Sequence, residues 1–563
     1  MYYDFKVKIP EEVGKITRRT IKGVIYINYE YARIYKPDKK YNIPKRTTIG
    51  KLCDDEPEMM YPNANYLKFY PDAELPKERD RSTRSSCLRI GSFLVVQKII
   101  KEYGLDEMLA RIIGRDSGLF LDLAAYSIIS ESNASQYYPD YAYNHPLFTR
   151  EMKLYSDSKV SDFFSNLTIN QSIGFLNEWN ASRNHREQIY ISYDSTNKVC
   201  QAGDIDIAEF GHSKSGDDKP IINYSLAYDH ENKEPLFYEE YPGSIVDVSQ
   251  LQYMLEKAKG YGYKKVGFIL DRGYFSKENI HFMDKNGYDF VIMVKGMKKF
   301  VHELIRENRG TFEEDRKTSI RKHKTNGITV KRQLFPSDVK ERYFHIYYSN
   351  RKHASERELL EAKIDRMARA LKKLEGQAVR IGTGFEKYFD LIYYHPGKED
   401  EKFVMARERT DVVNEEIKLC GYFCIITSKK MTAKDALELY KSRDASEKLF
   451  RGDKSYLGNR SLRVQSDASA EAKIFIEFLA LIIRSKMYTC LKNAVTEDEK
   501  KQNYMTVPAA LKELEKIEMI CHLDYIYRLD HAVTATQKTI LKAFGIDANY
   551  VKLQATMISD LLK

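Results

Sequence analysis

Tryptophan and cysteine are both scarce in this chain of 563 residues. There is one tryptophan, Trp179, against 42 tyrosines and 26 phenylalanines, and there are seven cysteines. No two cysteines form a CxxC pair, which argues against a zinc cluster, and a chain of this length needs no disulfide staples. We therefore expect a reducing compartment, and we expect Trp179 to lie in a hydrophobic core.

Long apolar runs are also missing. The most apolar predicted helix, IFIEFLALII at 474–483, contains Glu477 and is too short to span a bilayer. The N-terminal residues MYYDFKVKIPEE carry charges where a signal peptide needs an apolar stretch. The 12 histidines occur singly and no serine has a nucleophile-elbow pattern around it, which disfavours Ser–His–Asp and Cys–His hydrolases. We expect a soluble protein that stays in the cytoplasm.

Positive charge is plentiful and unevenly placed. The net charge is +10, and residues 1–51 hold 13 Lys or Arg against five Asp or Glu. Clustered cations interleaved with tyrosines favour a polyanionic partner, most simply DNA. A solvated basic surface without a partner is the alternative, and charge alone does not separate the two.

Hydrophobic periodicity predicts an α/β multidomain protein. Residues 188–296 read as three strands, a helix, a strand, a helix and a strand, which is the order of a ribonuclease-H-like fold. The predicted regions are a basic β-rich N-terminal region that contacts DNA (1–84), a helical DNA-binding domain (85–187), the first part of a ribonuclease-H-like core (188–296), a β-rich insertion (297–418), the second part of the core (419–490) and a helical C-terminal region (491–563).

Two carboxylates end predicted strands of the core. Asp194 closes the strand QIYISYDST, and Asp271 closes the apolar strand KKVGFILDRGYF. In the expected fold these strands are neighbours, so the two side chains should lie close together. Five other aspartates in loops or at helix starts compete for an acidic role, and we rank each below these two: Asp204, Asp206, Asp217, Asp218 and Asp247.

A third carboxylate lies on a predicted helix that begins at Thr432. Tyr440, Arg443, Glu447 and Lys454 are spaced so that one helix face carries all four. Taken alone, this face reads as an exposed amphipathic surface with an i,i+4 pair. Together with Asp194 and Asp271, Glu447 completes the set of acidic ligands with which two Mg²⁺ ions, or Mn²⁺ in their place, support phosphodiester cleavage.

The spacing Tyr440-x2-Arg443-x3-Glu447-x6-Lys454 resembles the YREK signature of bacterial insertion-sequence transposases of the DDE type. The blocks YDST at Asp194, YPGSIVD at 241–247 and FILDRGYFSKENI at Asp271 resemble those around the family's two catalytic aspartates. The resemblance covers about 188–487. It points to the insertion-sequence-four-like group, which is related to the Tn-five-type transposases.

The resemblance implies a function. A homodimer would bind the terminal inverted repeats of a mobile element in the bacterial nucleoid, cut its ends and join them to target DNA. Asp194, Asp271 and Glu447 would hold two Mg²⁺ ions, and Tyr440, Arg443 and Lys454 would hold DNA phosphates. Relatives excise through a hairpin and stack a flipped base on a tryptophan of the insertion. The insertion here has no tryptophan, so the excision route stays open.

Two other functions stay open on the sequence. One is a non-catalytic DNA-binding protein descended from a transposase, which the intact acidic residues disfavour. The other is a metal-dependent nuclease of the same fold that has no joining activity.

Overall fold

The computed structural model describes residues 2–3, 5–37, 40–74, 84–200, 205–211, 218–245, 247–398, 400–458, 460–497, 505–522 and 525–562. Its strands are β1 (Val7–Lys8), β2 (Ile16–Ile21), β3 (Val24–Lys36), β4 (Tyr41–Leu52), β5 (Met59–Pro62), β6 (Cys87–Arg89), β7 (Ile189–Val199), β8 (Ile221–Asp229), β9 (Glu234–Pro242), β10 (Val266–Leu270), β11 (Asp289–Met293), β12 (Ser319–Ile320), β13 (Thr325–Gln333), β14 (Glu341–Tyr348), β15 (Phe389–Tyr394), β16 (Lys402–Glu408), β17 (Tyr422–Thr427), β18 (Glu518–Cys521) and β19 (Tyr527–Leu529).

Its α-helices are α1 (Ala64–Phe69), α2 (Gly91–Tyr103), α3 (Leu105–Ile113), α4 (Ser117–Ser130), α5 (Tyr138–Asn144), α6 (Asp157–Asn166), α7 (Ile169–Ala181), α8 (Asp247–Gly260), α9 (Lys277–Lys285), α10 (Lys298–Asn308), α11 (Asn350–Lys372), α12 (Thr410–Leu419), α13 (Ala433–Lys441), α14 (Asp444–Tyr456), α15 (Asp467–Glu497), α16 (Val507–Leu514), α17 (Ala535–Lys542) and α18 (Ala548–Leu561). None of the described helices is both long and apolar enough to cross a membrane.

The chain divides into two compact units. The first comprises Met1–Phe175, Ala202–Ile205 and Gly452–Lys563, and the second comprises Leu176–Gln201 and Asp206–Arg451. The structure therefore has the mixed α/β, multidomain architecture that the sequence predicts. The boundaries of the six predicted regions remain predictions.

The first unit contains a five-stranded sheet in the order β1-β5-β4-β3-β2 and a group of helices around α15. The apolar run of α15 is buried, and Phe475 on it packs against Phe120 of α4 with ring centroids 4.6 Å apart. Strands β2 and β3 are joined through Lys22 and Gly23, which both adopt positive φ. Such a two-residue turn makes a tight hairpin between β2 and β3.

The C-terminal region is less helical than predicted. Besides α16, α17 and α18 it contains β18 and β19, which form a three-stranded antiparallel sheet with β6. Each of these strands is only three or four residues long. A hydrophobic pattern cannot distinguish so short a strand from a turn of helix or a loop.

The second unit is organised around a nine-stranded sheet in the order β12-β13-β14-β17-β11-β10-β7-β8-β9. Strands β7, β10 and β11 run parallel to one another, and the other neighbours are antiparallel. All residues of β8 and β10 are buried. Strand β10 reads as a continuous apolar run, as buried strands do, whereas β8 also buries the polar residues Asn223, Ser225 and Asp229. The core includes Trp179, as predicted; its ring is fully buried and its Nε1 donates to the carbonyl of Pro235 at 2.9 Å.

The segment predicted as a β-rich insertion has two parts in the structure. Strands β12, β13 and β14 continue the nine-stranded sheet, because β14 pairs along its length with β17. Helices α11 and α12 and strands β15 and β16 instead form a separate small hydrophobic cluster around Phe389 and Phe403. Helices α10 and α12 were not predicted from the sequence.

A buried histidine on β14 lies within hydrogen-bonding distance of side chains on both neighbouring strands, β13 and β17. The ring of His345 on β14 lies 2.9 Å, through Nδ1, from Oγ1 of Thr329 on β13 and 2.9 Å, through Nε2, from Oγ1 of Thr427 on β17. Burial lowers the pKa of His345 to about 4. The folded protein therefore holds this ring neutral at pH values at which the unfolded chain protonates it.

This burial predicts a stability that falls with acid. Between pH 6.5 and 4 the unfolded state binds the proton and the folded state does not, so stability rises with pH through this window. Between pH 7.5 and 5 we expect the wild type to lose about 2 kcal/mol more unfolding free energy than a His345→Gln variant. Urea unfolding of both proteins at the two pH values measures this difference. Equal losses in the two proteins would contradict it.

Candidate active site

Asp194 and Asp271 lie side by side on neighbouring parallel strands. The register of β7 and β10 pairs Tyr193 with Leu270. The next residue in the chain is Asp194 after Tyr193 and Asp271 after Leu270. The prediction that Asp194 closes its strand is wrong, because β7 continues to Val199 in antiparallel pairing with β8. Asp271 does follow the last residue of β10, as predicted. The parallel pairing alone brings the two carboxylates to the same level of the sheet.

The turn after Asp271 is held against β7. Residues Arg272–Tyr274 form a single 3₁₀ turn, and the Tyr274 hydroxyl donates to Oγ of Ser195 at 2.9 Å. The ring of Tyr274 also packs on Tyr193, with centroids 5.2 Å apart. Both partners flank Asp194 in sequence, so this packing fixes the loop that carries Asp271 relative to the strand that carries Asp194.

Glu447 reaches the site on a broken helix rather than on the single helix predicted. The backbone N–H of Asp435 donates to Thr432 Oγ1 at 3.1 Å and so caps α13, which packs on the sheet through Leu437 and Tyr440. The helix ends at Lys441 and α14 begins at Asp444. Glu447 then lies in the first turn of α14, where a negative charge is favoured by the helix dipole.

Arg443, in the break between the two helices, links these elements. Its Nη1 lies 3.4 Å from Oδ1 of Asp271 and its Nη2 lies 2.5 Å from Oε1 of Glu447. Its side chain is only 13% exposed. One guanidinium therefore bridges the carboxylate at the end of β10 and the carboxylate on α14.

The charge around Arg443 includes the third carboxylate. Burial acts to lower the pKa of Arg443, but Tyr440, Asp271, Glu447 and Asp194 together outweigh it and raise the pKa above its ordinary value. The structure thus brings Asp194, Asp271 and Glu447 within electrostatic range of one cation. Sequence reasoning assigned Arg443 to DNA phosphate and gave its i,i+4 pair with Glu447, but it missed Asp271, because spacing along a helix does not reveal what the side chain contacts across the fold.

The ring of Tyr440 lies close to the guanidinium of Arg443. The Tyr440 side chain is 5% exposed, and Cζ of Arg443 lies 5.5 Å from the centroid of its ring. Burial raises the pKa of Tyr440 to about 12, so the hydroxyl remains protonated at neutral pH and can donate a hydrogen bond. Lys454 lies on α14 in the stretch that belongs to the first unit, and its predicted phosphate contact remains a prediction.

The block YPGSIVD is anchored beside the same strands. Asn223 on β8 accepts from Nδ2 of Asn197 at 2.6 Å and donates to the carbonyl oxygens of Pro242 and Ile245 at 2.9 and 3.0 Å. Gly243 is required there, since a Cβ would lie 2.3 Å from the carbonyl oxygens of Glu209 and Ile221. Sequence reasoning missed Asn223, whose only signal is an amide within an apolar strand.

Of the five competing aspartates, only two have side chains that the structure describes. Asp204 and Asp217 lie outside the described residues, and nothing is described of the side chain of Asp247. Asp206 and Asp218 are exposed, whereas Arg443, which contacts Asp271 and Glu447, is largely buried.

The donor atoms of the three carboxylates suit a divalent cation, since hard ions such as Mg²⁺ and Mn²⁺ take carboxylate oxygens. In the described part of the chain, no three Asp, Glu, His or Cys side chains converge closely enough to hold a metal ion. Arg443 supplies the positive charge to Asp271 and Glu447 instead. A metal bound by these carboxylates would have to replace the guanidinium contacts.

Comparisons with known proteins address this region directly. Residues 190–483, more than half of the chain, match the family model described as the transposase DDE domain. No curated protein matches the chain. A cryo-EM structure of the piggyBac transposase synaptic complex with hairpin DNA (SNHP) is similar with a TM-score of 0.30 and 9% identity, covering 72% of this chain and 64% of that one. A likeness this low carries no argument, whereas the family match spans all three carboxylates: the chain belongs to the transposase DDE domain family.

Proposed function

We propose that this protein is a DDE transposase that binds the terminal inverted repeats of a bacterial insertion sequence, cleaves the element's ends and joins them to target DNA. The family is one of DNA-cutting and strand-transfer enzymes that generally use divalent metal ions. The observation that carries the proposal is the position of Arg443, which contacts Asp271 and Glu447 and interacts with Asp194. Three acidic residues from three separate elements thereby face one cationic position.

The topology of the sheet supports a ribonuclease-H-like core. Strands β9, β8, β7, β10 and β11 are consecutive neighbours, with β7–β9 antiparallel and β10 and β11 added parallel to β7. Along 188–296 the chain has the element order on which this proposal rests, namely three strands, a helix, a strand, a helix and a strand. In the sheet, the first and fourth strands are adjacent, and each carries one of the proposed catalytic aspartates.

Asp194, Asp271 and Glu447 are the proposed metal ligands, with Mg²⁺ as the expected ion and two ions as the expected number. Bound there, the ions supply activation of the attacking oxygen and stabilisation of the leaving oxygen. The chain's own part is to fix the three carboxylates through β7, β10 and α14. Once released from Asp271 and Glu447, Arg443 can bind a DNA phosphate in bidentate fashion.

Tyr440 and Lys454 complete the proposed YREK set. The Tyr440 ring lies beside the Arg443 guanidinium, and burial keeps its hydroxyl protonated at neutral pH. This hydroxyl donates a hydrogen bond to a DNA phosphate, and Lys454 supplies a second cation. This set supports assignment to the insertion-sequence-four-like group, related to the Tn-five-type transposases. We propose a cytoplasmic, nucleoid-associated homodimer as the active form, because two element ends must be processed together.

Joining to target DNA distinguishes this function from its alternatives. A labelled duplex built from the terminal repeat that flanks the coding sequence is incubated with the protein, Mg²⁺ and a supercoiled plasmid. A transposase transfers the label to the plasmid. Cleavage without transfer identifies a nuclease of the same fold, and specific binding without cleavage identifies a non-catalytic relative.

A further inference from the structure

The hairpin formed by β3 and β4 extends beyond the N-terminal sheet. Strand β2 pairs with β3 only as far as Tyr29, and β5 pairs with β4 only over Gly50–Leu52. From Ala32 to Lys36, β3 pairs with β4 alone, in a register that ends at Lys36 opposite Tyr41. We call residues 31–36 and 40–46 the hairpin arm. Within the described chain, it is a two-stranded ribbon with both edges open.

The arm is basic and aromatic. Residues 31–46 contain six Lys or Arg and one Asp. Tyr35 and Tyr41 are 57% and 54% exposed, and Ile34, which precedes Tyr35 in the chain, is also exposed. An isolated ribbon that presents apolar and aromatic side chains to water is expected to bind something.

The cations of the arm fall into two groups. Arg33 and Arg46 donate to opposite oxygens of the buried Glu30 carboxylate at 2.5 and 3.1 Å, and these bonds stiffen the base of the arm. Lys36, Lys40 and Lys45 are exposed, and no described acidic side chain lies within ion-pairing distance of them. These three lysines are available to a polyanion.

Register places two of these lysines on one face. Ala32, Ile34 and Lys36 on β3 lie directly opposite Lys45, Ile43 and Tyr41 on β4, and directly opposite residues point to the same side of a ribbon. That face therefore carries a lysine near each end, with two isoleucines between them and a tyrosine directly opposite Lys36. Cations for phosphates flanking an apolar centre for base edges suit double-stranded DNA.

The dimensions fit the major groove. Strands in a pair lie about 4.8 Å apart, and six residues of a strand extend about 20 Å. The major groove of B-form DNA is about 12 Å wide and admits a two-stranded ribbon, whereas the major groove of duplex RNA is deep and too narrow for side chains to read. We infer that the hairpin arm enters the major groove of double-stranded DNA, with Lys36, Lys40 and Lys45 contacting phosphates. This inference rests on the proposed function. It adds which surface of the protein contacts the DNA and which groove of the DNA that surface enters.

The test compares a Lys36→Gln/Lys40→Gln/Lys45→Gln variant of the full chain with a matched control, Lys538→Gln/Lys542→Gln/Lys552→Gln, which removes three exposed lysines from α17 and α18. The probes are a 30-base-pair mixed-sequence DNA duplex, the RNA duplex of the same sequence and one DNA strand alone. Each dissociation constant is measured across a salt series. Circular dichroism of both variants establishes that they are folded.

On duplex DNA, the arm variant should lower the slope of log affinity against log salt by up to about 2.7, since each lost phosphate contact removes about 0.9. The control should keep the wild-type slope. On duplex RNA and on single-stranded DNA, the arm variant and the wild type should bind alike. An unchanged slope on duplex DNA overturns the inference, and an equal loss on all three probes overturns the major-groove placement.

Failure of this inference and failure of the proposed function give different results. If the wild type cleaves and joins element ends while the arm variant keeps the wild-type slope, the inference about the hairpin arm is wrong and the proposed transposase function stands. If the wild type binds duplex DNA through the arm but never cleaves or joins ends, the inference about the hairpin arm stands and the proposed transposase function is wrong.

Discussion

A Glu447→Gln variant should lose DNA cleavage while retaining DNA binding. Glutamine preserves the size of the side chain but removes the negative charge that the proposed metal ions require. We expect the cleavage rate to fall by about 1,000-fold or more, which corresponds to about 4 kcal/mol of transition-state stabilisation. The dissociation constant for a terminal-repeat duplex should change by less than about fivefold, or under about 1 kcal/mol.

The fold should tolerate this substitution. The Glu447 side chain is half exposed, and a partly exposed ion pair contributes at most about 1 kcal/mol. A matched Glu438→Gln variant removes a carboxylate from α13, outside the set around Arg443, and should cleave at the wild-type rate. Cleavage by Glu447→Gln at the rate of this control would remove Glu447 from the mechanism.

An Arg443→Gln variant should bind Mg²⁺ more tightly and cleave more slowly. In the wild type, the guanidinium contacts Asp271 and Glu447, so a divalent cation must displace it. Removing that competitor should raise the affinity for Mg²⁺ by about tenfold, or about 1.4 kcal/mol. Cleavage should still fall, because the same guanidinium is the proposed phosphate ligand.

Titration calorimetry with Mg²⁺ and no DNA measures the affinity separately from activity. The matched control is Arg272→Gln, which removes an exposed cation next to Asp271 but leaves Arg443 in place. It should change Mg²⁺ affinity less than Arg443→Gln does, because exposed charges are screened by solvent and salt. Equal changes in the two variants, or weaker Mg²⁺ binding by Arg443→Gln, would show that Arg443 does not compete for the carboxylates.

Much of the sheet was predictable because its strands are buried on both faces. The apolar run at β10 is typical of a buried strand, and the ribonuclease-H-like order of elements predicts that the strands carrying Asp194 and Asp271 are neighbours. The register then follows from parallel pairing. The extent of β7 past Asp194 was not predictable, because its later residues, Asn197 and Lys198, are polar and are buried only by long-range pairing with β8.

The parts that were missed depend on contacts distant in sequence. The break at Ser442 and Arg443 interrupts a pattern that is periodic on both sides, so periodicity predicts one continuous helix. Of the two partners of Arg443, Glu447 is indicated by its i,i+4 spacing, whereas Asp271 follows a distant strand, and no local pattern points to it.

The most direct test of the account is cleavage of a labelled terminal-repeat duplex by wild type, Asp194→Asn and Asp218→Asn, each with Mg²⁺ and with EDTA. Asp218 is an exposed aspartate outside the proposed site and serves as the matched control. We predict that wild type and Asp218→Asn cut at the repeat boundary with Mg²⁺ but not with EDTA. Asp194→Asn should make no cuts under either condition. Cuts that persist in Asp194→Asn or in EDTA, or tight binding by the wild type with no cuts under any divalent metal, would contradict the account.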